Sequence, residues 1–197
     1  MTAQLEFNSD AHEYHLDGRR LVSVTQIIRT VLPAFQANEY YLQRGRALHH
    51  ATALLDDGKL DWSTVDEAIL GRTRAWQKFR RDYPASTVAI EQKLVSKRYR
   101  FAGTADRVLF ADECFIIADA KSTVAPQCIP QMGLYSLLWT ENGGKPCRKA
   151  VAVELQDDEQ YRCMWLSHAE LRAAEQTGLA VLTVHNFALK HGIKERQ

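Results

Sequence analysis

Residues 91–135 read EQKLVSKRYRFAGTADRVLFADECFIIADAKSTVAPQCIPQMGLY, and the reading of this stretch decides the fold. Two β-type runs inside it each deliver a carboxylate, Asp106 and Asp119. Lys121 follows the second aspartate by two residues, Glu91 lies upstream, and a helix carrying Gln131 and Tyr135 comes after. Side chains alternate along a strand, so Asp119 and Lys121 point to one face and Ala120 to the other. Residues 115–118 (FIIA) are a continuous apolar run, which makes Asp119 and Lys121 the end of a buried strand. Burying unpaired charge is costly, so charges at such a place have a task there.

The residue types suggest the task. Two aspartates from neighbouring strands suit a hard divalent cation such as Mg²⁺, which takes oxygen ligands and keeps several waters. Such an ion supplies the two needs of phosphodiester hydrolysis, charge stabilisation and a deprotonated water. The Lys121 ammonium then hangs beside the water or the scissile phosphate, and the metal's field and desolvation lower its pKa. The Ala120 carbonyl faces the metal in this reading. A D-x-K triplet alone fits a surface strand end with an ion pair equally well. The buried run before it is what favours a site. Gly103, three residues before Asp106, suggests a bulge or a close backbone approach.

Working outward, residues 87–96, 101–110 and 115–121 read as three strands joined by a basic turn (97–100) and by Asp112-Glu113. They form an antiparallel meander on which Glu91, Asp106 and Asp119 converge. Pro126 and Pro130 bound a loop, and a helix runs from Gln131 to Trp139, with Gln131 and Tyr135 as i, i+4 neighbours. Residues 149–155 and 161–166 make a closing hairpin, and Ser167 opens a last helix to about Lys190. Toward the N-terminus, residues 5–22 form a hairpin turning at Asp17-Gly18. Ser23 or Thr25 caps a helix that Pro33 closes. A longer helix over 38–55 contains Arg44-Gly45-Arg46-Ala47-Leu48-His49-His50. Gly45 lets a phosphate backbone or another segment approach the face that carries His49. His49 is a candidate metal ligand or simply a partly buried helix residue. Arg44 and Arg46 line a DNA path or form a solvated face. A second helix over 63–82 starts at Ser63 with Asp66, carries Ile69, Leu70, Trp76 and Phe79 as its apolar stripe, and ends in basic Lys78-Phe79-Arg80-Arg81. His12 and His15 are of metal-ligand type but read as exposed-loop residues, and His185 and His191 read as incidental.

The chain has 197 residues and is 46% hydrophobic, which suits one domain: an N-terminal hairpin and helical wall (1–85), a catalytic α/β core (86–166) and a C-terminal helix and tail (167–197). The net charge of +1 means that any basic surface is local. Cys114, Cys128, Cys147 and Cys163 contain no CxxC pair, hence no zinc signature and no evident disulfide framework. With no apolar leader and no run of membrane-span length, the expected location is a reducing cytoplasm, with no membrane partner.

This set of residues resembles the RecB-like branch of the PD-(D/E)XK nuclease superfamily, which includes phage recombination exonucleases. That pattern has a helical histidine, a strand glutamate, a G-x-x-D segment, a D/E-x-K segment and a Q-x-x-x-Y helix. Here these are His49 after Gly45-Arg46-Ala47-Leu48, Glu91, Gly103 to Asp106, Asp119 to Lys121, and Gln131 to Tyr135, in the same order. Residues 22–27 (VSVTQI) also look like the N-terminal stretch of phage-encoded members, so the likeness spans about residues 7–140. It implies a restriction-endonuclease-like α/β core, a mixed central sheet flanked by helices. It implies that His49, Asp106, Asp119 and the Ala120 carbonyl ligate Mg²⁺ or Mn²⁺, that Lys121 is the catalytic lysine, and that Glu91 is a second-shell or second-metal carboxylate. Gln131 and Tyr135 would position the DNA or the site. Ala105 stands where the superfamily motif has proline. The cysteines lack the arrangement of the iron–sulfur members, so no cluster is expected. The implied function is DNA cleavage from ends of single- or double-stranded DNA, in recombination, repair or phage DNA processing, in a bacterial or phage-infected cytoplasm. An annealing or recombination protein is the implied partner. An endonuclease, or a non-cleaving binding module on the same fold, are the alternatives.

Overall fold

A computed structural model describes residues 5–8, 13–30 and 39–193 of the chain. Within them the elements are β1 (Leu5–Asn8), β2 (Glu13–Leu16), β3 (Arg19–Ser23), α1 (Val24–Arg29), α2 (Glu39–Asp56), α3 (Glu67–Asp82), β4 (Ser86–Ser96), β5 (Phe101–Ala111), β6 (Cys114–Lys121), α4 (Cys128–Glu141), β7 (Cys147–Leu155), β8 (Tyr161–Leu166) and α5 (His168–Lys190). His12 and Pro33 lie outside the described residues.

The boundaries follow local chemistry. Two-residue turns that need left-handed backbone occur at Asp17-Gly18 (φ 51° and 72°) and Asp112-Glu113 (φ 48° and 57°), joining β2 to β3 and β5 to β6. Ser23 caps α1 with Gln26 closing the box, and Ser167 does the same for α5 with Glu170. Three expectations are corrected. Residues 5–22 are a three-stranded meander and not a hairpin, because Leu5–Asn8 adds a strand opposite Glu13–Leu16. The helix expected from Ser63 begins at Glu67. Asp61 accepts from the Ser63 amide and holds a separate short turn there, and Asp66 caps α3 through Ala68. Pro130 does not bound a loop but lies in the first turn of α4, where its missing N–H has no helical partner to lose.

β5 is the hub of the sheet. β4 lies antiparallel along one edge, from the Ser96–Phe101 pair to Ser86–Phe110. The other edge is divided. β3 pairs parallel with its first residues, Val22 with Phe101 and Ser23 with Ala102. β6 pairs antiparallel with its last, from Arg107–Ala118 to Ala111–Cys114. The ladder partner thus changes between Ala102 and Arg107, the stretch that contains Asp106. β7 adds to β6 in parallel and β8 closes that side antiparallel.

Helices cover both faces of this mixed sheet. On one face Ile27 of α1, Met132 and Leu134 of α4 and Leu171 of α5 are buried with Phe101, Ala105 and Ile117. On the other, Leu48 of α2 and Trp76 and Phe79 of α3 are buried with Ile116, Ala118 and Val153. The expected architecture, a mixed central sheet between helices, is the one that forms. Trp76 and Phe79 are 0% exposed, and truncating either to alanine costs about 3–5 kcal/mol. These cores fix α2 and α4 on opposite faces of β5, so that each aims side chains at the partner change-over.

Candidate active site

The change-over on β5 is where the charged residues meet. Ile90 pairs with Arg107 and Gln92 with Ala105, so Glu91 of β4 stands opposite Asp106 of β5. Glu91 has φ 46°, a left-handed conformation that costs a non-glycine residue about 1–3 kcal/mol. Arg107 Nη1 holds its carboxylate, donating to Glu91 Oε1 at 3.2 Å. From the α2 side, Leu48 and Ala51 anchor the helix in the core and leave His49 at the rim. His49 Nδ1 lies 3.1 Å from Asp106 Oδ2 and 3.9 Å from Glu91 Oε1. His49, Glu91 and Asp106 each offer a ligand atom within 4.8 Å of the others. One nitrogen and two carboxylate donors at this spacing fit a divalent cation.

Asp106 is oriented from behind. β6 parts from β5 after the Arg107–Ala118 pair, and the freed Ala120 N–H donates to Asp106 Oδ2 at 3.0 Å. Burial pushes the Asp106 carboxyl up, but the neighbouring His49 and Lys121 outweigh it and hold the group well below the usual carboxylate range. The Asp106 charge in turn raises the His49 pKa. A metal-ligating histidine is neutral, so a cation and a proton compete for this imidazole.

Asp119 behaves in the opposite way. It is 1% exposed, and neither carboxylate oxygen has a well-aligned hydrogen-bond donor among the described residues. The Lys121 ammonium lies 2.8 Å from its Oδ2, off the line of a hydrogen bond. Burial, with the Asp106 charge added, pushes the Asp119 carboxyl up to about 7 against the pull of Lys121. Lys121 sits in the field of both aspartates. Burial pulls its pKa down, but Asp119 and Asp106 overcome this and hold it above the ordinary lysine range. The two carboxylates thus favour its charged form. Asp119 also stands outside the three-residue donor cluster, which takes Glu91 in its place, and Ala120 is 2% exposed beneath it.

α4 supplies the third side. Gln131 Nε2 donates to the Tyr135 hydroxyl at 3.2 Å, and burial followed by the Asp119 charge keeps the phenol neutral. Gly103 sits at a close approach and not at a bulge. A Cβ there would lie 2.8 Å from Val24 Cγ2 and 2.9 Å from the Tyr135 ring. Only glycine lets Tyr135 lie against β5 next to Asp106.

Arg46, His49, Glu91, Asp106, Lys121, Gln131 and Tyr135 together line one cavity of about 500 Å³. Among the described residues, nothing lies within 4 Å of a Cβ added at Gly45. Arg44 is placed elsewhere. Its guanidinium donates to the Ala68 carbonyl and pairs with Asp157, tying α2 to α3 and to the β7–β8 turn. Arg80, from the basic end of α3, is likewise committed, to Asp56, Ala85 and Thr87.

One participant is invisible to motif reading. Arg107, 1% exposed, donates to Asp56 Oδ2 at 2.6 Å and to Thr52, besides Glu91, and its guanidinium lies 5.6 Å from the Trp76 ring. The available signal was an arginine within the otherwise apolar ADRVLF strand, which must find a carboxylate to be buried.

No family model and no curated protein sequence matches the chain. Among solved structures it is similar to LHK-Exo in complex with dAMP, at 15% identity, with 87% of this chain and 92% of that chain covered and a TM-score of 0.41. It is also similar to an alkaline exonuclease, LHK-Exo, from Laribacter hongkongensis, at 14% identity, with the same coverage and a TM-score of 0.39.

Proposed function

We propose that this chain is a divalent-metal-dependent DNA nuclease of PD-(D/E)XK type, hydrolysing phosphodiester bonds as an exonuclease of the RecB-like branch. The observation that carries the reading is the cluster of His49, Glu91 and Asp106 donors in one cavity with the Lys121 cation. His49, Glu91 and Asp106 would hold Mg²⁺ or Mn²⁺. When bound, that ion neutralises charge on the scissile phosphate and acidifies a water.

The chain's own residues do the rest. Lys121, kept protonated by Asp119 and Asp106, presents a fixed positive charge to the phosphoryl oxygens and to the attacking water, where negative charge develops. Asp119 works through Lys121. Buried beneath it, the carboxylate sets the height and direction of the ammonium. The Ala120 N–H and Arg107 hold Asp106 and Glu91 in their donor orientations. The Tyr135 hydroxyl, already accepting from Gln131, keeps its own proton for a phosphate oxygen. Arg46 adds a cation at the cavity wall. End-directed action and a setting in recombination, repair or phage DNA processing are supported by the sequence resemblance.

The test is a cleavage assay on end-labelled linear duplex, linear single strand and covalently closed circular DNA, each with Mg²⁺, Mn²⁺ or EDTA. Metal-dependent loss of the linear forms alone, absent in Lys121→Ala, is the expected result. Cutting of the circle makes the protein an endonuclease. DNA binding without cleavage of any substrate overturns the catalytic reading.

A further inference from the structure

Two groups of cations in this molecule differ in their partners. Where α2 and α3 meet the β7–β8 turn they are engaged. Arg44 and Arg72 meet Asp157, Arg74 meets Glu159, and Lys78 meets Gln160. At the exposed positions of the β4–β5 hairpin, apart from the buried Arg107, they are not. Lys93, Lys97, Arg98 and Arg100 are exposed, and none has a carboxylate within ion-pair distance among the described residues. The hairpin's own carboxylates, Glu91 and Asp106, belong to the metal cluster. Lys93 rests over the Phe7 ring at 4.8 Å and Arg98 over Tyr99 at 4.9 Å, contacts that steady the side chains without neutralising them.

The positions form a path. Lys93 pairs across from Thr104, two residues before Asp106, and lines the site cavity together with Arg46. Residues 97–100 make the hairpin turn, roughly 13 Å further along the strand at the usual rise per residue. A run of like charges that starts in the cavity and ends at the sheet's tip repels itself unless a polyanion lies along it.

We propose that the DNA strand whose phosphate enters the metal site continues over the β4–β5 hairpin, its neighbouring phosphates meeting Lys93, Lys97, Arg98 and Arg100, and not over α3 and the β7–β8 turn. The path rests on the nuclease reading of the site. It is a backbone contact and carries no base preference.

The experiment measures binding of a labelled single-stranded oligonucleotide by fluorescence anisotropy, in EDTA to prevent cleavage, as KCl is raised. The variant is Lys97→Ala/Arg98→Ala/Arg100→Asn, with asparagine at 100 because φ there is 58°. Three lost phosphate contacts reduce the slope of log affinity against log salt by roughly two units. Arg74→Ala/Lys78→Ala, on the engaged side, keeps the original slope. If the triple variant does not fold, Lys93→Gln alone should lower the slope by about 0.7. An unchanged slope in a folded hairpin variant overturns the path, as does an equal loss in the α3 variant. Absence of any DNA binding by the unaltered protein overturns the nuclease reading and the path with it. Intact binding with unchanged hairpin variants overturns the path alone.

Discussion

Asp56 and Asp119 are both buried carboxylates, with side chains 3% and 2% exposed, in opposite surroundings. Asp56 ends α2 and accepts from Arg107 Nε at 2.6 Å, Arg80 Nε at 2.9 Å and Trp76 Nε1 at 2.9 Å. Its lone pairs are spent on holding α2, α3 and β5 together. Asp119 ends β6 with no aligned donor and a single close cation, Lys121. Desolvation is expensive for both, and only Asp56 recovers it through hydrogen bonds. The difference separates two uses of buried charge. A satisfied carboxylate serves the fold, and an unsatisfied one beside a cavity is free to tune the cation next to it.

The sharpest way to break this contrast is to remove each group in turn. Asp56→Ala leaves Arg107 and Arg80 buried without their carboxylate and should cost about 3–5 kcal/mol, read from urea unfolding. Asp119→Asn should leave the melting temperature no lower than in the unaltered protein, because a carboxyl that lacks donors and that burial pushes toward its neutral form loses little on becoming an amide. If the two variants melt alike, the contrast fails. In activity the order reverses. Asp119→Asn and Lys121→Ala should each lower the metal-dependent cleavage rate by about 10²–10³-fold or more, the scale of losing one aligned charge at a reacting phosphate.

A pH titration sharpens the same point. The Asp119 carboxyl, raised to about 7, keeps its proton in the folded chain between about pH 4 and 7 while the unfolded chain has lost it. Its stabilising effect is complete below the unfolded value and is lost as pH rises through the folded one, by up to about 1.4 kcal/mol per pH unit. Asp106, held low, acts in the other direction, and below about pH 4. Denaturant midpoints measured across pH 4–7 should therefore decline with a slope that Asp119→Asn flattens. Equal slopes would show that Asp119 is ionised throughout. The smallest effect belongs to the exposed acceptor of Arg44. Asp157→Asn should cost under about 1 kcal/mol and leave cleavage unchanged in the same assay.

The parts of this arrangement that were legible in the sequence are those that depend on neighbours a few residues away. Ser23 and Ser167 announce their helices, Asp17-Gly18 its turn, and the apolar run before Asp119 its buried strand. The order of His49, Glu91, Asp106 and Lys121 also anticipates one cavity. What escaped depends on partners distant in the chain. Asp56 reads as a helix end until Arg107, 51 residues on, is folded against it. Arg44 reads as a DNA contact or a solvated-face residue until Asp157, 113 residues on, takes it. The field around Lys121 depends on the same kind of distant partner. Its neighbour Asp119 is visible at i−2, but the added field of Asp106 exists only once β5 and β6 lie side by side. The left-handed backbone of Glu91 has no sequence mark at all, since glutamate is an ordinary strand residue elsewhere.

The hydrogen bond from the Ala120 amide to Asp106 gives the molecule a spectroscopic probe of its own. Most main-chain amides in such a sheet point at carbonyls and see little of the chemistry around them. This one points at a carboxylate that would change its electron density when a cation binds. In a ¹⁵N-labelled sample, the resonance of residue 120 should move when a diamagnetic ion such as Mg²⁺ is added, and its exchange with solvent deuterium should change with it. Occupancy of the cluster could then be followed at a single backbone position, without DNA and without turnover.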